Sequence, residues 1–152
     1  MNRRLPVLLA VAAVAAAGTV PATAAKPKPK PITGSYTLEL YPDPSPNVTG
    51  QVGDSSCGTI PQSKDSRAFS FPAAGTLTVD LAVSDPIPSA SPVHGDWDLY
   101  VLEGGQIRNS STTGSGNEQT VDKLKKRANL TFLVCNLNGQ TKGKVTYRFV
   151  YA

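Results

Sequence analysis

Alternation with a period of two, cut into short runs by proline and glycine, limits what this chain can fold into more than any other feature. Leu77, Val79, Leu81 and Val83 alternate with Thr76, Thr78, Asp80 and Ala82, the pattern of a strand with one buried face. The same rule gives Tyr36, Leu38 and Leu40 against Thr37, Glu39 and Tyr41, and Trp97, Leu99 and Val101 against Asp96, Asp98 and Tyr100. Val145, Tyr147, Phe149 and Tyr151 alternate likewise with Lys144, Thr146, Arg148 and Val150. Runs 67–71 and 129–137 add two strands rich in aromatic and branched residues. Run 118–124 is a seventh, within a stretch to Ala128 that is also open to a helical reading. Proline blocks strand continuation and glycine supplies positive φ in the segments between, such as Pro42-Asp43-Pro44 and Glu103-Gly104-Gly105. Short strands at regular spacing, without a long amphipathic helix, predict an all-β fold: an antiparallel β-sandwich or jelly roll of seven to eight strands.

The ends bound the domain. Arg3 and Arg4, an apolar run from Val7 to Ala17 and Ala22-Thr23-Ala24 read as a secretory signal peptide over residues 1–24. That run is well short of the roughly 20 apolar residues of a membrane span, so no membrane insertion is expected. Its alanine-rich character is bacterial, which leaves the glycosylation triplets at Asn47, Asn109 and Asn129 without consequence. Residues 25–31 carry Lys26-Pro27-Lys28-Pro29-Lys30-Pro31, a stiff basic linker in extended polyproline II form. Residues 32–152 are then one domain, expected to be secreted and monomeric.

The net charge of +4 is carried by the ends. Without Arg3, Arg4, Lys26, Lys28 and Lys30, 10 basic residues face 11 acidic ones. Only Lys123, Lys125, Lys126 and Arg127 cluster, and they read as a solvated turn or strand end, so no nucleic-acid partner is expected. Two cysteines in an exported chain predict one disulfide, Cys57–Cys135. Cys135 falls on the opposite face of its strand from Leu130, Phe132 and Val134, beside Leu133 and Leu137. The bridge would tie the Cys57 loop over that second face, and the absence of Cys-x-x-Cys spacing argues against a redox role.

Catalysis needs a nucleophile, base and orienter, or an open metal, or converging carboxylates. His94 is the only histidine, and it sits in a loop. One histidine with two oxidised cysteines does not make a zinc site. A non-catalytic protein is expected. Gly95 to Glu118 reads as a strand with paired acids followed by a long Ser/Thr/Gly loop. Asp96 and Asp98 leave one strand face about 7 Å apart, and Asn117 and Glu118 from the loop's end could add oxygens for calcium. The competing reading has Asp98 accept backbone N–H bonds from the loop 110–116 and hold it without metal. Tyr41 and Tyr100 point away from the core and are the candidate ligand platform, whereas Trp97, Tyr147 and Phe149 face the core.

The run Arg67-Ala68-Phe69-Ser70-Phe71, then Ala74-Gly75-Thr76-Leu77-Thr78-Val79, Asp96-Trp97-Asp98-Leu99-Tyr100-Val101 and Gly116-Asn117-Glu118 resembles the bacterial pre-peptidase C-terminal domain. Leu130-Thr131-Phe132-Leu133-Val134 and Val145-Thr146-Tyr147-Arg148-Phe149 continue the resemblance over about 85 residues. It lacks the Gly-x-Tyr-Tyr strand start frequent in that family, showing Arg127-Ala128-Asn129-Leu130 instead. The resemblance implies a non-catalytic accessory β-sandwich that binds extracellular polymers or assists maturation of a partner, with calcium in some relatives. The expected partner is an extracellular polymer, polysaccharide or protein. The alternative is a small secreted inhibitor or maturation partner of an extracellular hydrolase, inserting a loop such as 42–46 or 84–92.

Overall fold

A computed structural model of the 152-residue chain describes residues 27–43, 57, 60–83, 95–113 and 116–152. The expected signal peptide over residues 1–24, His94, the loop 84–92 and most of the loop 42–46 lie outside the described residues. Eight strands follow in chain order: β1 Ile32–Glu39, β2 Lys64–Phe71, β3 Gly75–Val83, β4 Asp96–Glu103, β5 Gln106–Ser111, β6 Glu118–Leu124, β7 Ala128–Asn138 and β8 Lys142–Tyr151. A single turn of 3₁₀ helix at Pro61–Ser63 leads into β2. They form two antiparallel four-stranded sheets, β1-β8-β3-β6 and β2-β7-β4-β5, packed as a β-sandwich.

The inward residues are the alternating ones. Leu77, Val79 and Leu81 from β3, Val145 and Phe149 from β8, Trp97, Leu99 and Val101 from β4, and Leu130, Phe132 and Val134 from β7 are buried between the sheets. Where β1 and β2 meet at one open side, Phe69 stacks on Phe132 at 4.4 Å and lies 6.1 Å from Tyr36. The Arg67 guanidinium sits 4.0 Å over the Tyr36 ring, a cation–π contact that caps this side.

One element differs from the sequence expectation. Residues 106–111 are a strand, not the start of a long loop, because Gly104 and Gly105 both take positive φ and make a two-residue hairpin turn out of β4. The run 118–124 is the expected strand, and it presents Glu118, Thr120, Asp122 and Leu124 inward while Val121 is 54% exposed. Glu118 and Asp122 face the core side because β5 and the residues just after it supply their partners.

Candidate functional site

At the second open side, β5 and β6 are joined by side chains. The β4–β5 register shifts between Val101 and Leu102, whose partners are Asn109 and Ile107, so Arg108 is the extra residue of a β-bulge. The bulge aims Arg108 at β6: Nε donates to Asp122 at 3.1 Å, Nη2 to the Lys123 carbonyl at 3.0 Å, and Nη1 to Glu103 at 2.6 Å. Asn109 donates to the Val121 carbonyl and to Asp122. Arg108→Ala would leave the buried Asp122 carboxylate without its cation. The expected cost is about 2–3 kcal/mol, below that of a fully buried pair because Arg108 is partly solvated. Adding Asp122→Asn should recover part of it in a urea-melt double-mutant cycle.

Above this seam stand the acids singled out from the sequence. Asp98 is 5% exposed and accepts a 2.8 Å bond from the Tyr100 hydroxyl. Burial pushes its carboxyl up to about 6, with Asp96 and Glu118 adding to the rise and the Tyr100 bond opposing it. Asp96 is also raised, by burial and then by Glu118. Tyr100 is raised by burial and by its bond to Asp98. It is not the exposed platform expected: the strand parity holds, but Leu102, Leu133, Leu137 and the Cys57–Cys135 bridge pack with it on the outer face of its sheet, leaving it 8% exposed. Tyr41 is 59% exposed.

Glu118, and not Asp98, holds the loop. Its Oε1 accepts the Thr113 N–H at 3.0 Å and the Thr113 hydroxyl at 2.6 Å, and its Oε2 accepts the Ser111 hydroxyl. Asn117 Oδ1 accepts the Val83 N–H at 3.2 Å. Of the four expected calcium ligands, Asn117 and Glu118 are thus engaged with protein donors. Among the described residues no group of three or more His, Cys, Asp or Glu side chains converges as a metal site.

Because the folded-state Asp98 pKa lies above its ordinary value, the native state binds more protons than the unfolded chain between about pH 4 and 6. Its contribution is therefore present at low pH and falls away as pH rises through that window. Asp98→Asn keeps an acceptor for Tyr100 and removes the charge. In calcium-free buffer the variant should match wild type at pH 4 and be more stable by roughly 2 kcal/mol at pH 7, from 1.36 kcal/mol per pKa unit less solvent screening.

The opposite surface has another character. The outward residues of the β1-β8-β3-β6 sheet are mostly polar or charged: Thr33, Ser35, Thr37, Glu39, Lys142, Lys144, Arg148, Gln119 and Lys123 are exposed, as is Val121, and Thr76, Thr78, Asp80 and Thr146 are half-buried. An open depression of about 300 Å³, lined by Thr37, Leu38, Glu39, Lys142 and Gly143, lies where β1 ends and β8 begins. No protein-family model matches the sequence, and no curated protein is found to match it. The two sheet faces therefore carry the functional argument on their own geometry. One carries a buried, crosslinked apolar cluster, and the other is polar and open. No helix among the described residues is long and apolar enough to cross a membrane.

Sequence reasoning missed this open face. Lys142, Lys144 and Arg148 alternate visibly along β8, but Lys123 and the β1 and β3 threonines join them only through the order β1-β8-β3-β6, which places the first strand beside the last.

Proposed function

We propose that the protein is a secreted, non-catalytic β-sandwich module that binds an extracellular polymer, as the pre-peptidase C-terminal domains it resembles do. The observation that carries this reading is the asymmetry of the sandwich. The outer face of the β2-β7-β4-β5 sheet carries a buried apolar cluster over β4 and β7, stapled by Cys57–Cys135, whereas the other sheet presents an open field of hydroxyls and cations across four strands. A disulfide shielding one face suits an oxidising, extracellular setting. An open polar face suits an extended partner lying across strands.

The test is co-sedimentation of the mature protein with insoluble polymers (peptidoglycan, chitin, cellulose, collagen), beside a chain lacking residues 25–31. Retention that survives loss of the Lys-Pro segment supports the module. Retention lost with that segment, or no retention at all, ends this reading, and stoichiometric binding to one hydrolase would replace it with the inhibitor reading.

A calcium-stabilised form of the module rests on Asp98, a buried carboxylate whose one hydrogen bond comes from Tyr100, with Asp96 on the same strand face. Calcium bound there would raise the melting temperature by mass action, and Asp98→Asn would abolish the rise. No rise at millimolar calcium removes the ion from the account.

A further inference from the structure

We infer that the outer face of the β1-β8-β3-β6 sheet is the binding surface and that its partner is a linear anionic polysaccharide of uronic-acid type. This inference rests on the polymer-binding reading and names the polymer class. Lys142, Lys144 and Arg148 occupy alternate outward positions of β8, and Lys123 occupies an outward position of β6. Lys125, Lys126 and Arg127 continue from Lys123 in the turn between β6 and β7. All seven are exposed, and none of them makes an ion pair among the described residues. The face carries two carboxylates: Glu39, opposite Lys142 in the β1–β8 ladder, and Asp80, which accepts the Gln119 amide. Cations outnumber carboxylates on the face and its adjoining turn by a wide margin, although the domain as a whole is nearly neutral.

The hydroxyls give this field its chemistry. In the β1–β8–β3 ladders Thr33 and Thr78 lie on either side of Arg148, and Thr37 lies beside Lys144. Thr76 lies beside Lys123 in the β3–β6 ladder. Each pair of neighbours is about 5 Å apart across the sheet, and along β8 the cations recur at about 7 and 13 Å. A cation flanked by hydroxyls matches a ligand whose carboxylate stands beside its own hydroxyls, and repetition of that pair across the open face matches a sugar-acid chain. The depression at the β1–β8 corner, lined by Thr37, Glu39 and Lys142, offers a seat for a terminal sugar ring. Nucleic acid fits less well. No outward position of these four strands is aromatic, so the face has no ring on which to stack bases, and a flat sheet face does not enter a duplex groove.

The experiment measures binding of the full mature chain to polygalacturonate, with dextran, collagen, polyphosphate and oligothymidylate as comparisons. Saturable binding to polygalacturonate is expected, weakening about tenfold or more between 50 and 300 mM salt as screening shortens the reach of the cations. Lys144→Glu with Arg148→Glu should weaken it at least tenfold at an unchanged melting temperature, both side chains being exposed. Thr33→Val with Thr78→Val should weaken polygalacturonate several-fold and leave any polyphosphate binding as it was. Binding to dextran or collagen that ignores the charge reversal would overturn the anionic class while leaving the binding module standing. Equal binding to polyphosphate and oligothymidylate, indifferent to the threonine changes, would reduce the face to unselective electrostatics and overturn the inference. Loss of binding on Lys125→Glu with Lys126→Glu, but not on reversal at Lys144 and Arg148, would move the site to the turn and overturn it too. Binding to none of the five polymers would overturn the inference, while the module reading would still stand or fall on the peptidoglycan, chitin and cellulose panel.

Discussion

Trp97→Ala is expected to cost about 4 kcal/mol and to lower the melting temperature by about 15 °C, the largest effect of any single side-chain truncation here. The indole is fully buried between the sheets. It lies so close to Gly143 that a Cβ there would come within 2.9 Å of the ring, so the space it fills is bounded partly by backbone that cannot collapse inward. Its Nε1 donates to the Gln140 carbonyl at 3.1 Å, which fixes the crossing from β7 to β8. The Asn136 amide donates to the same carbonyl at 2.7 Å, so losing the indole N–H does not orphan it. Trp97→Phe should therefore cost well under half as much as the alanine change. Chemical denaturation of both variants separates volume from hydrogen bonding. Equal losses would mean that the N–H, and not the filled space, holds the site.

Replacing both Cys57 and Cys135 with alanine is expected to cost about 3–4 kcal/mol and about 10–15 °C in melting temperature. The bridge spans 78 residues, so most of its effect is the entropy it removes from the unfolded chain. A second part is local. Cys57 and Cys135 are fully buried with Tyr100, Leu102, Leu133 and Leu137 in an apolar cluster outside the main core, a cluster that the main β-sandwich does not enclose. Reduction should expose this cluster before the fold between the sheets is lost. Increased binding of a hydrophobic dye at denaturant concentrations that leave far-UV dichroism unchanged would show that order. Simultaneous loss of both signals would place the cluster in the same cooperative unit as the core.

Much of this architecture is legible in the sequence. Strands β3, β4, β7 and β8 repeat apolar residues every second position, and each of those positions faces the core. The legibility ends at the edges. β5 reads Gln-Ile-Arg-Asn-Ser-Ser, with one apolar side chain in six, because its inward positions meet polar partners instead of leucines. β6 sets Val121 outward and buries Glu118 and Asp122, the reverse of what hydrophobicity alone dictates. Its orientation is decided by Arg108, Asn109, Ser111 and Thr113, partners from a strand that the sequence pattern did not reveal. The candidate site divides the same way. The Asp96/Asp98 pair on one face and the Cys57–Cys135 bridge follow from spacing and composition. The cover over Tyr100 does not, because it is assembled from Cys57 and from β7, both distant in the chain. Nor does the role of Glu118 as anchor of the loop: three nearby carboxylates are equivalent on paper until the hydrogen-bond donors take their places.

The pairing of β1 with β8 also governs how the domain responds to load. Ile32 stands opposite Phe149 and Glu39 opposite Lys142, so the start of β1 and the end of β8 emerge at the same end of the sandwich. Tension applied through those two points pulls across the ladder and separates it one residue pair at a time, like a zipper. Tension transmitted from the open sheet face to one of those points runs along the strands and loads many hydrogen bonds together. A polymer bound on the proposed face would be gripped along the strong direction of the sheet, while the start of β1 and the end of β8 pulled apart meet the weak one.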